Sequence, residues 1–129
     1  SAITGATLDQ IGMDPSCRSL VRDMMLECRE VGLSVGAKFN INVEKRIDAA
    51  TGIIGHKPST RQDIESNRTL ELDPIICSIL ELARKFKILT PNLDKVAGLV
   101  RMKGNLLGLY ERKKNIENII TNKYTPAEI

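Results

Sequence analysis

Apolar residues at helical spacing along most of the chain constrain its fold more than any other feature. Asp14-Pro15 is typical of a helix N-cap followed by proline at the first helical position. Beyond it, apolar residues recur three, four and seven positions apart: Leu20, Val21, Met24, Met25, Cys28, Val31 and Val35. The pattern predicts one amphipathic helix ending near Gly36. The charged residues between them, such as Glu27, are expected to face water or a neighbouring polar surface.

Later segments repeat this periodicity. A shorter amphipathic piece carries Val43, Ile47, Ala50 and Ile54, and it breaks at Gly52 and Gly55. The clearest pattern predicts a helix from about Leu70 to Lys87, with one apolar face: Leu72, Ile75, Ile76, Ile79, Ala83 and Phe86. After Thr90-Pro91-Asn92 a last helical pattern runs through Leu107 and Tyr110 to the basic Arg112-Lys113-Lys114. Because no stretch alternates like a strand, the sequence predicts an all-α helical bundle, with residues 1–129 as a single domain.

Composition excludes several classes of function. The net charge of +3 and the 3% of aromatic residues argue against a nucleic-acid partner, which needs a larger basic surface or several stacking rings. No apolar run approaches the roughly 20 residues of a membrane span, so we expect no membrane partner. Three widely spaced cysteines, Cys17, Cys28 and Cys77, indicate free thiols and a cytoplasmic location, and one histidine leaves little for a zinc site. The chain opens at Ser1 without an initiator Met, so we expect a piece of a longer protein.

One pair of motifs goes beyond composition. Lys57-Pro58-Ser59-Thr60-Arg61-Gln62-Asp63 is followed by Arg68-Thr69-Leu70-Glu71-Leu72-Asp73. This combination resembles the ketopantoate reductase family, in which a K-P-S-x-x-Q-D segment precedes an R-x-T-E-I-D segment at this separation. Three other stretches are similar to the same family: residues 1–8, 24–28 and 88–91. The resemblance extends to about Tyr110.

The resemblance implies a two-domain, NADPH-dependent enzyme that reduces 2-dehydropantoate (ketopantoate) to pantoate on the route to pantothenate. An N-terminal Rossmann domain would hold NADP, and this chain is similar only to the helical C-terminal domain of such 6-phosphogluconate dehydrogenase-like reductases. No Gly-x-Gly-x-x-Gly occurs in the chain. The family's catalytic lysine falls shortly before the position of Ser1, so we expect this fragment alone to be inactive. Helices of this fold often contact a second subunit, which makes a homodimer the expected assembly.

Two site residues follow from the resemblance. Glu71 matches the active-site glutamate that contacts the substrate hydroxyl and the catalytic lysine, and Ser59 matches the serine that holds the substrate carboxylate. Both have simpler interpretations. Ser59 and Gln62 fit a capping box, and an acid such as Glu71 is favoured at a helix start without any catalysis. The two interpretations of Ser59 are compatible, because its hydroxyl can donate outward while accepting from the backbone.

The charged neighbours of Ser59 and Glu71 are weaker candidates for contact with a substrate. Asp63 and Asp73 fit ion pairs or caps at least as well as substrate contacts, and Arg61 and Lys57 fit solvated surface charges better than an anion site. The chain also departs from the family pattern at positions 60, 61, 70, 76 and 77, around the expected pocket. A related 2-oxo acid is therefore an alternative substrate. The alternative function is a helical interaction or dimerisation module with no active site of its own.

Overall fold

The computed structural model describes residues 1–111, where the chain forms six α-helices and no strand. The helices are α1 (Leu8–Met13), α2 (Pro15–Ser34), α3 (Val43–Thr51), α4 (Ser59–Glu65), α5 (Ser78–Lys85) and α6 (Pro91–Leu106). A π-helical turn, Asp73–Cys77, leads into α5. The prediction of an all-α domain is confirmed over this range, and the basic residues 112–114 lie outside it.

The long second helix begins where its sequence predicts. Asp14 Oδ1 accepts a hydrogen bond from the Cys17 amide across 2.7 Å, so the aspartate caps α2 and leaves Pro15 at the first helical position. Its apolar stripe is only partly buried: Val31 lies in the interior, whereas Leu20 and Val35 at the two ends are exposed. The stripe therefore marks the correct face, but not the extent of burial along it.

The first and third helices pack against each other beside α2. Ile11 of α1 and Ile47 of α3 are buried, and the helices approach so closely that a Cβ on Gly12 would lie 2.5 Å from Thr51 Cβ. Glycine is required at this contact because any side chain would collide with Thr51. The predicted burial of Ala50 and Ile54 is wrong, since α3 ends at Thr51 and both residues face solvent.

The π turn and α5 together form the central helix, and the π turn affects which residues of this helix are buried. The Ser78 amide donates to the carbonyl of Asp73, five residues back, and this wider turn rotates the helix relative to a regular α pattern. The buried residues are consequently Leu72, Cys77, Leu80 and Ala83. The predicted inward positions of Ile75 and Phe86 are wrong, since both side chains are exposed.

Two apolar clusters form the core around this central helix. One contains Leu80, Leu93 and Ala97, and the other contains Leu70, Leu72, Leu109 and Tyr110. Ile76, on the π turn, packs against both clusters and joins them. The chain leaves α6 at Leu106 and turns back at Gly108, whose φ of +68° suits glycine, so the predicted helical pattern does not continue to Tyr110.

Candidate active site

Glu71 lies at the start of the central helix, between two leucines of the core. Leu70 and Leu72 point inward, and the side chain of Glu71 between them is exposed. No residue of the described range forms a hydrogen bond or an ion pair with its carboxylate. Glu71 lines a pocket of about 400 Å³, which the turn at residues 108–111 closes on the other side. A carboxylate in this position is available to a ligand.

The pocket at Glu71 is rich in carboxylates. Asp73 and Glu111 line it together with Glu71, and none of the described lining residues is a lysine, an arginine or a histidine. Three acidic side chains around one pocket repel an anionic ligand unless a cation lies among them. A pocket of this composition can bind an anion such as a 2-oxo acid only when a positively charged side chain from outside the described lining enters it.

A buried tyrosine holds the wall of this pocket. Tyr110 donates a hydrogen bond from its hydroxyl to Asp73 Oδ1 across 2.7 Å, and the Leu70 amide donates to the Leu109 carbonyl across 2.8 Å. Burial raises the pKa of Tyr110 well above its ordinary value, and the bond to Asp73 raises it further. Asp73 is thus a partner of Tyr110, in agreement with a structural interpretation of that acid. The role of Tyr110 was missed at the sequence level, because only the turn at Gly108 brings it back to the helix start.

Ser59 occupies the first position of α4 and is exposed. The predicted capping box is wrong: Pro58 is the N-cap residue, and the Gln62 side chain donates to the Lys57 carbonyl across 2.6 Å instead. Within residues 1–111 the Ser59 hydroxyl has no hydrogen-bond partner. Ser59 is not among the residues that line the pocket at Glu71. That Ser59 and Glu71 bind the same substrate molecule therefore stays a prediction.

The charged residues near Ser59 form pairs with each other. Lys57 Nζ and Arg61 Nε both lie 2.9 Å from oxygens of Glu65, and these contacts hold the pKa of Glu65 below its usual range, with Lys57 contributing most. Arg68 pairs with Asp63 across 2.9 Å. The interpretation of Arg61 as a solvated charge is wrong, because its side chain is only 13% exposed and its Nη1 atom is buried without a partner among the described residues.

Neither a metal centre nor a membrane segment is present within residues 1–111. No three acidic, histidine or cysteine side chains cluster there as metal ligands, and no helix in that range is long and apolar enough to cross a bilayer. The three cysteines are free thiols, as their spacing predicts.

Comparisons with known proteins assign this all-α domain to a family of oxidoreductases. The family model described as ketopantoate reductase PanE/ApbA C terminal matches residues 1–104. The chain therefore belongs to the ketopantoate reductase family, and it corresponds to the C-terminal helical domain. The resemblance of its motifs to that family and the predicted fold are both confirmed.

Individual relatives agree with this assignment. The chain is 43% identical over 101 residues to a 2-dehydropantoate 2-reductase of Mesorhizobium japonicum, covering 78% of this chain and 31% of that protein. It matches the structure of a Ralstonia solanacearum MolK2 protein assigned to the ketopantoate reductases, with a TM-score of 0.78, 29% identity, 85% of this chain and 33% of the other. It also matches a dimeric ketopantoate reductase from Staphylococcus aureus, with a TM-score of 0.72, 25% identity and coverages of 83% and 38%. The chain thus spans about a third of the length of these relatives.

Proposed function

We propose that this chain is the substrate-side domain of an NADPH-dependent reductase that converts 2-dehydropantoate to pantoate in pantothenate biosynthesis, or reduces a related 2-oxo acid. The observation that carries the proposal is the exposed carboxylate of Glu71, which lies at the edge of a pocket without a partner among residues 1–111, in a domain of the ketopantoate reductase family. A second, nucleotide-binding domain would complete the cleft.

The cofactor belongs to that second domain. The described residues form no strand and the sequence has no Gly-x-Gly-x-x-Gly, so this chain does not fit the usual cradle for a dinucleotide pyrophosphate. When bound, NADPH would supply the hydride to the ketone carbon. The role of this chain is to bind and orient the 2-oxo acid against it.

We assign to Glu71 the positioning of the group that donates the proton. Addition of hydride to a ketone places negative charge on its oxygen, which must be neutralised by a proton donor or a cation. The acidic pocket provides no such group from the described residues, which fits a lysine that enters from outside them. Glu71 would keep that lysine charged and oriented, and it would accept a hydrogen bond from the alcohol product.

Ser59 is the residue that we assign to the substrate carboxylate. Its exposed hydroxyl has no competing partner within residues 1–111, so it can donate to an incoming oxygen.

The assembly and the location complete the proposal. Leu99, Met102 and Leu106 form an exposed apolar stripe along α6 at helical spacing, which supports a homodimer like that of the Staphylococcus aureus relative. Three free thiols support a cytoplasmic location. A dimerisation module without an active site would show the same stripe, so the stripe does not separate the two functions. Activity does.

The test compares this chain with a longer parent that carries the nucleotide-binding domain. With NADPH and ketopantoate, we expect oxidation of NADPH by the parent and none above background by the 129-residue chain. Glu71→Gln in the parent should lower kcat, because the proton-donating lysine would lose the carboxylate that keeps it charged and oriented. Glu81→Gln, at an exposed position of α5, is the matched control and should leave kcat unchanged. A parent that forms dimers and shows no turnover with any 2-oxo acid would instead support the interaction module.

A further inference from the structure

A second pocket lies on a different part of the domain. It has a volume of about 490 Å³ and is bounded by the C-terminal half of α2, the loop of residues 37–42 and the first turn of α3. None of its lining residues belongs to the pocket at Glu71. Its volume falls within the range of about 300–1,000 Å³ that is typical of small-molecule sites.

The body of this second pocket is apolar. Met25 comes from α2, Phe39 and Ile41 from the loop, and Val43 from α3. The side chains of Phe39 and Ile41 are 44% and 57% exposed, so water contacts large apolar surfaces that a ligand would cover. Burial of such surface favours any ligand with a hydrocarbon portion.

The loop wall is held against α2. The Ala37 amide donates to the Gly32 carbonyl across 3.0 Å, and a Cβ on Gly32 would lie 2.5 Å from the Phe39 ring. The ring therefore rests directly on the backbone of α2, where no larger residue would fit. A wall fixed in this way costs little ordering entropy when a ligand binds.

Three cationic side chains line this pocket together with the apolar residues, and none of its described lining residues is acidic. Arg29, Lys38 and Arg46 line the pocket, and none of them forms an ion pair with another described residue. Five other arginines do form such pairs: Arg18, Arg22, Arg61, Arg68 and Arg84. Glu44, the neighbour of Val43, is itself engaged by two of those five. No acidic side chain of the described range therefore forms an ion pair with the cations of this second pocket.

We propose that the second pocket binds a small organic carboxylate with an unbranched apolar body, of the size of a medium-chain fatty acid. The hydrocarbon chain packs against Phe39, Ile41 and Val43. The carboxylate pairs with Arg29 and Arg46 at the rim, where guanidinium groups can hold both oxygens. This second pocket is separate from the pocket at Glu71, so the proposal that it binds a carboxylate does not depend on the proposed reductase activity.

The test is a titration of the ¹⁵N-labelled 129-residue chain followed by NMR. Octanoate is the probe, octanol has the same body without the charge, and acetate has the charge without the body. We expect octanoate to shift the amide signals of residues 25–29 and 38–46 saturably, and octanol and acetate to bind at least tenfold more weakly. Octanol binding as tightly as octanoate, or shifts that spread over the domain without saturating, would overturn the proposal.

Variants test the cations directly. Arg46→Gln and Arg29→Gln should each weaken octanoate binding by about three- to tenfold, as expected for loss of a charge-assisted contact. Lys95→Gln, at an exposed position of α6, is the matched control and should change nothing. Unshifted signals outside the pocket verify that each variant is folded. Equal affinity of all variants overturns the proposal. It is also overturned if sedimentation shows a dimer whose formation alone shifts the pocket signals, since a second copy would then occupy the pocket.

Discussion

The Tyr110 hydroxyl donates to Asp73 Oδ1 across 2.7 Å, and this bond ties the turn after α6 to the helix start that carries Glu71. Tyr110 is 5% exposed and packs with Leu70 and Leu72, so the tie lies within the core. The wall of the pocket at Glu71 is therefore as stable as the core itself, whereas Glu71 is free to meet a ligand.

This relationship predicts an unusual titration of Tyr110. The chain has two tyrosines, so Tyr124→Phe leaves Tyr110 as the only tyrosine to follow by ultraviolet absorbance. Burial is the main reason that the pKa of Tyr110 is raised in the folded protein. The neutral side chain therefore contributes its full stabilisation at pH values below the unfolded-state pKa of about 10. That stability is lost as pH rises beyond it, so Tyr110 should ionise only together with alkaline unfolding. Asp73→Asn should lower the Tyr110 pKa without restoring its ordinary value. Titration near the ordinary value in the folded protein would contradict this account.

Close packing on the same tyrosine makes Gly104 sensitive to substitution. A Cβ on Gly104 would lie 2.8 Å from Tyr110 Cβ and 2.9 Å from Leu70 Cδ1. Gly104→Ala should lower the free energy of unfolding by about 1–3 kcal/mol, the usual cost of overpacking a core. Gly98→Ala on the same helix has nothing within 4 Å and should raise it by about 0.5–1 kcal/mol through helix propensity. Urea unfolding of both variants measures the contrast, and equal midpoints would rule out the steric explanation.

A carboxylate from α2 caps the last helix. Glu27 accepts hydrogen bonds from the backbone and side-chain nitrogens of Asn92 at 3.0 and 2.8 Å, and from the Leu93 amide at 2.8 Å. Because these bonds satisfy donors at the helix start, Glu27→Ala should lower the free energy of unfolding by about 2 kcal/mol. Glu27→Gln keeps one acceptor and should cost about half as much. Glu30→Gln, exposed on the same helix, is the control for urea unfolding; a cost matching that of Glu27→Gln would show that the cap contributes nothing.

Ser59 offers a test that separates a structural role from a binding role. Pro58 is the N-cap residue of α4, and the Ser59 hydroxyl has no partner within the described part of the chain. Ser59→Ala should therefore change the free energy of unfolding by less than about 0.5 kcal/mol, whereas loss of a capping side chain typically costs about 1 kcal/mol. In a longer parent the same variant should raise KM for the 2-oxo acid more than it lowers kcat. A stability loss with an unchanged KM would restore the capping interpretation.

Local patterns in the sequence predicted the helices well, and the motifs predicted the family. Asp14-Pro15 starts α2 as expected, and Glu71 lies exposed at a helix start as its motif indicates. These features depend on residues within a few positions of each other. The inward positions assigned to Ile75 and Phe86 are wrong because Ile75 lies within the π turn and Phe86 follows the last residue of α5, and the apolar pattern contains no sign of either feature.

The sequence by itself determined where helices form, because backbone hydrogen bonds and caps join residues a few positions apart. Only the tertiary structure decided that Glu27 caps a helix 65 residues away, that the side chain of Arg61 is largely shielded from solvent, and that Tyr110 meets Asp73. Each of these contacts depends on how two helices or a turn pack together, and the free energy that selects such packing is shared among many distant side chains rather than encoded in any one segment.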